Sequence, residues 1–93
     1  MSSWTLLTNH AQVLLAISAN NRATAKEIAA TVLVTERAVQ RILGNLEAEG
    51  YISRFRDGRK NRYEIHGDRP FRHPAQQGHT IGDLLIVLAS TDE

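Results

Sequence analysis

The sequence predicts an α+β fold, mainly helical, with one small β-hairpin. Three observations predict it. Apolar residues recur at helical spacing in three consecutive segments between Asn9 and Ala48. After Gly50 the period becomes that of two short strands around an Asp57-Gly58 pair. A last apolar run, Ile81 to Leu88, follows a stretch that holds both prolines.

The chain has 93 residues, enough for one domain with a modest core. Chains of this size often gain stability by oligomerising. There is no cysteine, which excludes disulfides and thiolate metal sites and fits a reducing compartment. Met1 to Asn9 lacks a basic stretch followed by a long apolar run, so no signal peptide is expected. Ile81 to Ala89, the most apolar segment, is far short of the roughly 20 residues that span a bilayer. A cytoplasmic protein without membrane contact is expected.

The first helix is expected over Asn9 to Ala19, where Val13, Ala16 and Ile17 share one face. Ala11, Leu14 and Leu15 extend the apolar surface around most of the circumference, so burial on more than one side is expected. Asn20-Asn21 should end it in left-handed geometry. Thr24-Ala25-Lys26-Glu27 is a capping box that opens a short second helix, with Ile28, Ala29 and Val32 as its stripe and an end near Thr31. Leu33-Val34 makes a tight connection. Thr35 then caps a third helix, whose positive end suits Glu36. Val39, Ile42, Leu43 and Leu46 should face the core, and Gly50 is a left-handed stop.

Two strands are expected over Tyr51 to Arg56 and Asn61 to Ile65, joined by Asp57-Gly58-Arg59-Lys60. Tyr63 and Ile65 alternate with Arg62 and Glu64, so one face should pack and the other meet solvent. Residues 67–79 contain Gly67, Gly78 and both prolines without apolar periodicity, and are expected to be an irregular linker. Thr80 and Asp83 approximate a second capping box at the start of the last helix. The chain therefore divides into residues 1–66, the linker 67–79, and a C-terminal helix and tail, 80–93.

Net charge is only +1, but its distribution is informative. All 11 Lys and Arg lie between Arg22 and Arg72. From Tyr51 to Arg72 seven basic residues face three acidic ones, the footprint expected of a phosphate-binding surface. Helix, short helix, tight turn, longer helix and basic hairpin is the order of a winged helix-turn-helix, whose second helix of the pair enters the major groove. Here that helix is the third of the chain, residues 35–49. Its core stripe leaves Thr35, Glu36, Arg37, Gln40, Arg41, Gly44 and Asn45 outside. Arg can pair bidentately with guanine and Gln with adenine, while Thr35 and the amides of the helix start can hold a phosphate. Arg56, Arg59, Lys60 and Arg62 sit at or beside the tip of the wing, residues 51–65, within reach of phosphates or a minor groove.

Residues 24–65 resemble the winged helix-turn-helix of the MarR and ArsR groups of prokaryotic transcription regulators. The resemblance is carried by Thr24 to Ala29, by Thr35 to Arg41, by Leu46-Glu47-Ala48-Glu49-Gly50-Tyr51-Ile52, by Arg56-Asp57-Gly58-Arg59 and by Tyr63-Glu64-Ile65. It implies sequence-specific binding of double-stranded DNA, with Arg59 at the minor groove. It also implies a homodimer built from the N- and C-terminal helices on a roughly palindromic site. The chain departs from the metal-sensing ArsR pattern, because His10, His66, His73 and His79 show no ligand spacing and no cysteine is present. It is also shorter than a typical MarR protein, leaving little room for a separate effector pocket.

Two over-apolar helices, Asn9 to Ala19 and Thr80 to Ala89, admit two explanations. They pack across a two-fold axis between copies, or both are covered within the monomer. Trp4 is expected to be a packing residue. No phosphate loop, nucleophile motif or facing carboxylate pair points to an enzyme, and no cofactor or metal is implied. The same fold also serves protein assembly without DNA. An assembly surface would be apolar on the outer face of the third helix, where this sequence is polar and basic. Recognition of RNA or of a left-handed duplex stays open beside ordinary DNA binding.

Overall fold

In a computed structural model the described residues, 6–89, form four helices and one antiparallel hairpin. Trp4 lies outside them. The helices are α1 (Asn9–Ala19), α2 (Ala25–Val32), α3 (Glu36–Ala48) and α4 (Ile81–Ala89), and the strands are β1 (Ile52–Asp57) and β2 (Lys60–Ile65). This is the expected α+β winged-helix arrangement.

The Thr8 hydroxyl caps α1 by accepting the Ala11 N–H at 3.3 Å. Val13, Leu14 and Ile17 are buried, and the helix touches α2, α3, β2 and α4, which cover part of its broad apolar surface. Its end differs from expectation. Asn20 is extended, with φ −150°, and closes the helix by donating its N–H to the Ala16 carbonyl. No left-handed residue is needed, because the chain must leave in an extended path towards the wing.

Both limbs of the α2 capping box are made. The Glu27 N–H donates to the Thr24 hydroxyl at 3.1 Å and the Thr24 N–H donates to the Glu27 carboxylate at 2.8 Å. The helix runs to Val32, one residue past the expected end, and stops at Leu33 in left-handed geometry, φ 69°. The Thr35 hydroxyl caps α3 through the Ala38 N–H at 3.0 Å. Val39, Ile42, Leu43 and Leu46 are buried as the spacing requires. Gly50, at φ 82°, turns the chain out of α3.

The strands pair from Ile52 with Ile65 to Asp57 with Lys60. The connection is therefore two residues, Gly58-Arg59, rather than the four expected. Gly58 has φ 68° while Arg59 stays out of that region, the pattern of a type II′ turn suited to the twist of a hairpin. Ile52 and Tyr63 carry the base of the hairpin into the core, whereas Phe55 to Lys60 are exposed.

The segment after β2 holds one short 3-10 turn, Pro74–Gln76, and is tied at several points. The Tyr51 hydroxyl donates to the Pro70 carbonyl at 3.2 Å, and the Arg69 guanidinium donates to the Glu49 carbonyl at the end of α3 at 3.4 Å. Pro70 bridges to Thr80. At the start of α4 the Ile81 N–H donates to the Arg69 carbonyl at 3.0 Å, and the Gly82 N–H to the Gly67 carbonyl at 2.9 Å. Thr80 and Asp83 exchange the hydrogen bonds of a capping box at 3.1 and 3.4 Å. Ile81 is buried against the core, while Ile86 and Val87 are 70% and 65% exposed. No helix of the described residues is long and apolar enough to cross a membrane.

Candidate nucleic-acid interface

Burying one stripe of α3 leaves the other facing outward by geometry alone. Thr35, Glu36, Arg37, Gln40, Arg41, Gly44 and Asn45 are all exposed. Arg37 and Arg41 are one turn apart and share a face. The Thr35 oxygen already serves as the helix cap. Asn45 stands apart from the rest, because its amide lies 3.1 Å from the Nε2 atom of His10 on α1.

The wing residues divide in the same way. Arg59 and Lys60 are exposed at the tip. Arg56 folds back on the turn, its Nε donating to the Gly58 carbonyl at 3.0 Å. Arg62 stacks over the Phe55 ring across the hairpin, with 4.7 Å from guanidinium carbon to ring centroid. Arg54 is turned inward, over the Tyr63 ring at 6.0 Å and towards Glu47 of α3 at 3.3 Å.

The fold brings Gln40 of α3 and Arg59 and Lys60 of the wing together around one cleft of about 140 Å³. Arg22, Thr24 and Asn61 complete its rim. Arg22 is the residue that no sequence pattern marked. It lies in the α1–α2 connection and pairs with Asp57 of the wing. At the same corner the Thr24 backbone N–H holds the Glu27 carboxyl below the usual carboxylate range. Arg22 of the α1–α2 connection, Arg59 and Lys60 of the wing and Gln40 of α3 thus line one cleft, a cationic edge of the kind that attracts polyanions.

The four histidines are dispersed. His10 meets Asn45, and His66 lies 2.6 Å from the Ser53 hydroxyl. His73 accepts the Ala75 N–H at 3.0 Å, and His79 approaches Asp83 at 3.6 Å. Among the described residues no three His, Asp or Glu side chains converge as a metal site does. A larger groove, about 510 Å³, lies between α1, the end of α3 and α4, and is lined by Leu14, Leu46, Tyr51, Phe71, Ile81 and Leu84 among others. The expectation that so short a chain leaves little room for a separate pocket is not met, because the segment after β2 and α4 close a groove against α1 and the end of α3.

Against known proteins, the sequence profile of the MarR family matches residues 4–62. No curated protein matches. Among solved structures the chain is similar to MepR, a transcription regulator of the Staphylococcus aureus multidrug efflux pump MepA. The TM-score is 0.58 at 21% identity, over 89% of this chain and 55% of that one. The chain thus spans just over half the length of that regulator.

Proposed function

Since the chain belongs to the MarR family of transcription regulators, we propose that it binds double-stranded DNA sequence-specifically, with α3 in the major groove and the β1–β2 wing on the flanking backbone and minor groove. Arg37, Gln40 and Arg41 read base edges in this mode, Glu36 and Asn45 border them, and Thr35 with the first amides of α3 meets a phosphate. Arg59 approaches the minor groove, and Arg56, Lys60 and Arg62 neutralise phosphates. One observation carries the reading: Gln40, on the exposed polar face of α3, lines a single cleft with the wing-tip cations Arg59 and Lys60.

The active species in this reading is a homodimer. The outward Ile86 and Val87 of α4 form an apolar strip that a second copy covers, with α1 alongside. The regulator works in a prokaryotic cytoplasm, where its duplex target lies.

The test is anisotropy of a labelled random duplex at low salt, followed by selection from a random pool. Tight binding with a steep salt dependence is expected. The Arg37→Ala/Arg59→Ala double variant should lose at least about 1–3 kcal/mol. Selected sites should show two half-sites about 10 base pairs apart, or a multiple of that. Unchanged affinity in the double variant overturns this docking mode. Absence of duplex binding by the wild-type protein favours the assembly reading of the fold instead.

A further inference from the structure

A two-stranded hairpin has little to fix its direction. Such ribbons are marginal alone, and the outer half of this one, Phe55 to Lys60, is exposed. Arg54 of β1 reaches Glu47 of α3 at 3.3 Å, and two further ties join the hairpin to the α1–α2 connection. At mid-height the Tyr63 N–H donates to the Asn21 carbonyl at 2.9 Å. Near the tip Arg22 pairs with Asp57, the last residue before the Gly58-Arg59 turn. The segment that makes both ties is itself fixed. The Asn20 side chain accepts the Arg22 N–H at 3.1 Å, the Asn20 carbonyl accepts the Ala23 N–H at 3.1 Å, and Ala23 is buried. Arg22 therefore projects from a fixed backbone into the cleft that Gln40 and Arg59 also line.

We propose that the Arg22–Asp57 pair is a positioning clamp, which sets the wing tip relative to α3 so that Arg59 and Gln40 meet one duplex together. The clamp builds on the DNA-binding reading above. Its two side chains are 55% and 45% exposed, and exposed pairs add little to global stability. Its effect is to preorder the wing before DNA arrives.

The charge of Asp57 makes the clamp separable from simple electrostatics. A carboxylate at the tip of a phosphate-facing wing repels DNA. If charge alone mattered, Asp57→Asn would bind duplex more tightly. The clamp requires the opposite sign.

The experiment measures affinity for a duplex recovered from the random pool. It compares the wild type, Asp57→Asn, Arg22→Gln and the charge-swapped Arg22→Asp/Asp57→Arg pair. Thermal midpoints and backbone relaxation of the Gly58, Arg59 and Lys60 amides in the free proteins are recorded alongside. Asp57→Asn should bind roughly tenfold more weakly with a nearly unchanged midpoint. Its wing amides should gain motion, and the swapped pair should recover most of the loss. An Asp57→Asn protein that binds as tightly as the wild type, or more tightly, overturns the clamp. Wing amides as ordered as the wild type's also overturn it. Wild-type protein that binds no duplex overturns the DNA reading instead, and the relaxation data still decide whether the pair orders the wing.

Discussion

Gly82 packs directly on the peptide of Gly67. A Cβ placed on Gly82 would lie 2.8 Å from the Gly67 carbonyl oxygen, and the Gly82 N–H donates to that same oxygen at 2.9 Å. The obstacle is backbone, which cannot swing aside as a side chain can. The first turn of α4 is seated on the segment just after β2 only because Gly82 carries no side chain.

Gly82→Ala should therefore lift the first turn of α4 and pull Ile81 from the core, costing about 1–3 kcal/mol. Gly44→Ala is the matched control. Nothing lies within 4 Å of a Cβ at Gly44, so that exposed helical position should gain about 0.5–1 kcal/mol. Urea denaturation of the two variants, compared at equal slope, checks both signs.

Leu33 holds φ 69° while 86% exposed, so it carries left-handed strain with almost no burial to offset it. The turn between α2 and α3 needs that geometry whatever residue occupies it. Leu33→Gly should remove a cost of about 1–2 kcal/mol, less the greater freedom glycine has when unfolded. A net gain of about 0.5–1 kcal/mol is expected, read as a raised denaturation midpoint. A lowered midpoint would show that the side chain of Leu33 packs in solution.

The lowered pKa of Glu27 sets a pH dependence. Its carboxylate is favoured in the folded state by the Thr24 N–H, so its contribution is present above the ordinary value of 4.5 and lost as pH falls through the folded one. The thermal midpoint should drop more for the wild type than for Glu27→Gln between about pH 6 and about pH 3. Equal drops in both proteins would show that the capping box does not titrate with folding.

Assembly has its own test. Ile86→Glu/Val87→Glu places charge on two exposed positions of α4 and leaves the core untouched. Sedimentation at micromolar concentration should show a dimer for the wild type and a monomer for the variant, with similar helix content. A wild-type monomer, or a variant that still dimerises, removes α4 from the interface.

Much of the fold was legible because its signals are local. The Thr24–Glu27 box and the α3 stripe each span a turn or two of helix, and both stand where spacing puts them. The same stripe fixes by subtraction which α3 residues are exposed. Legibility fails where a contact joins distant positions. Arg22 with Asp57 and His10 with Asn45 are each 35 residues apart, and no periodicity brings such pairs together. It also fails where a residue adopts geometry against its type. Leu33 takes the left-handed turn that a glycine would have announced. The hairpin loop proved shorter because Asp57, a turn former by type, and Lys60 opposite it continue the ladder.

Arg69 to the Glu49 carbonyl and Tyr51 to Pro70 are two hydrogen bonds that join the end of α3 to the segment leading to α4. Linked equilibria are symmetric. If restraining α4 changes the affinity of α3 for a ligand by some factor, that ligand changes the restraint on α4 by the same factor. The two ends of this small domain then behave as one thermodynamic balance, which can be weighed from either pan.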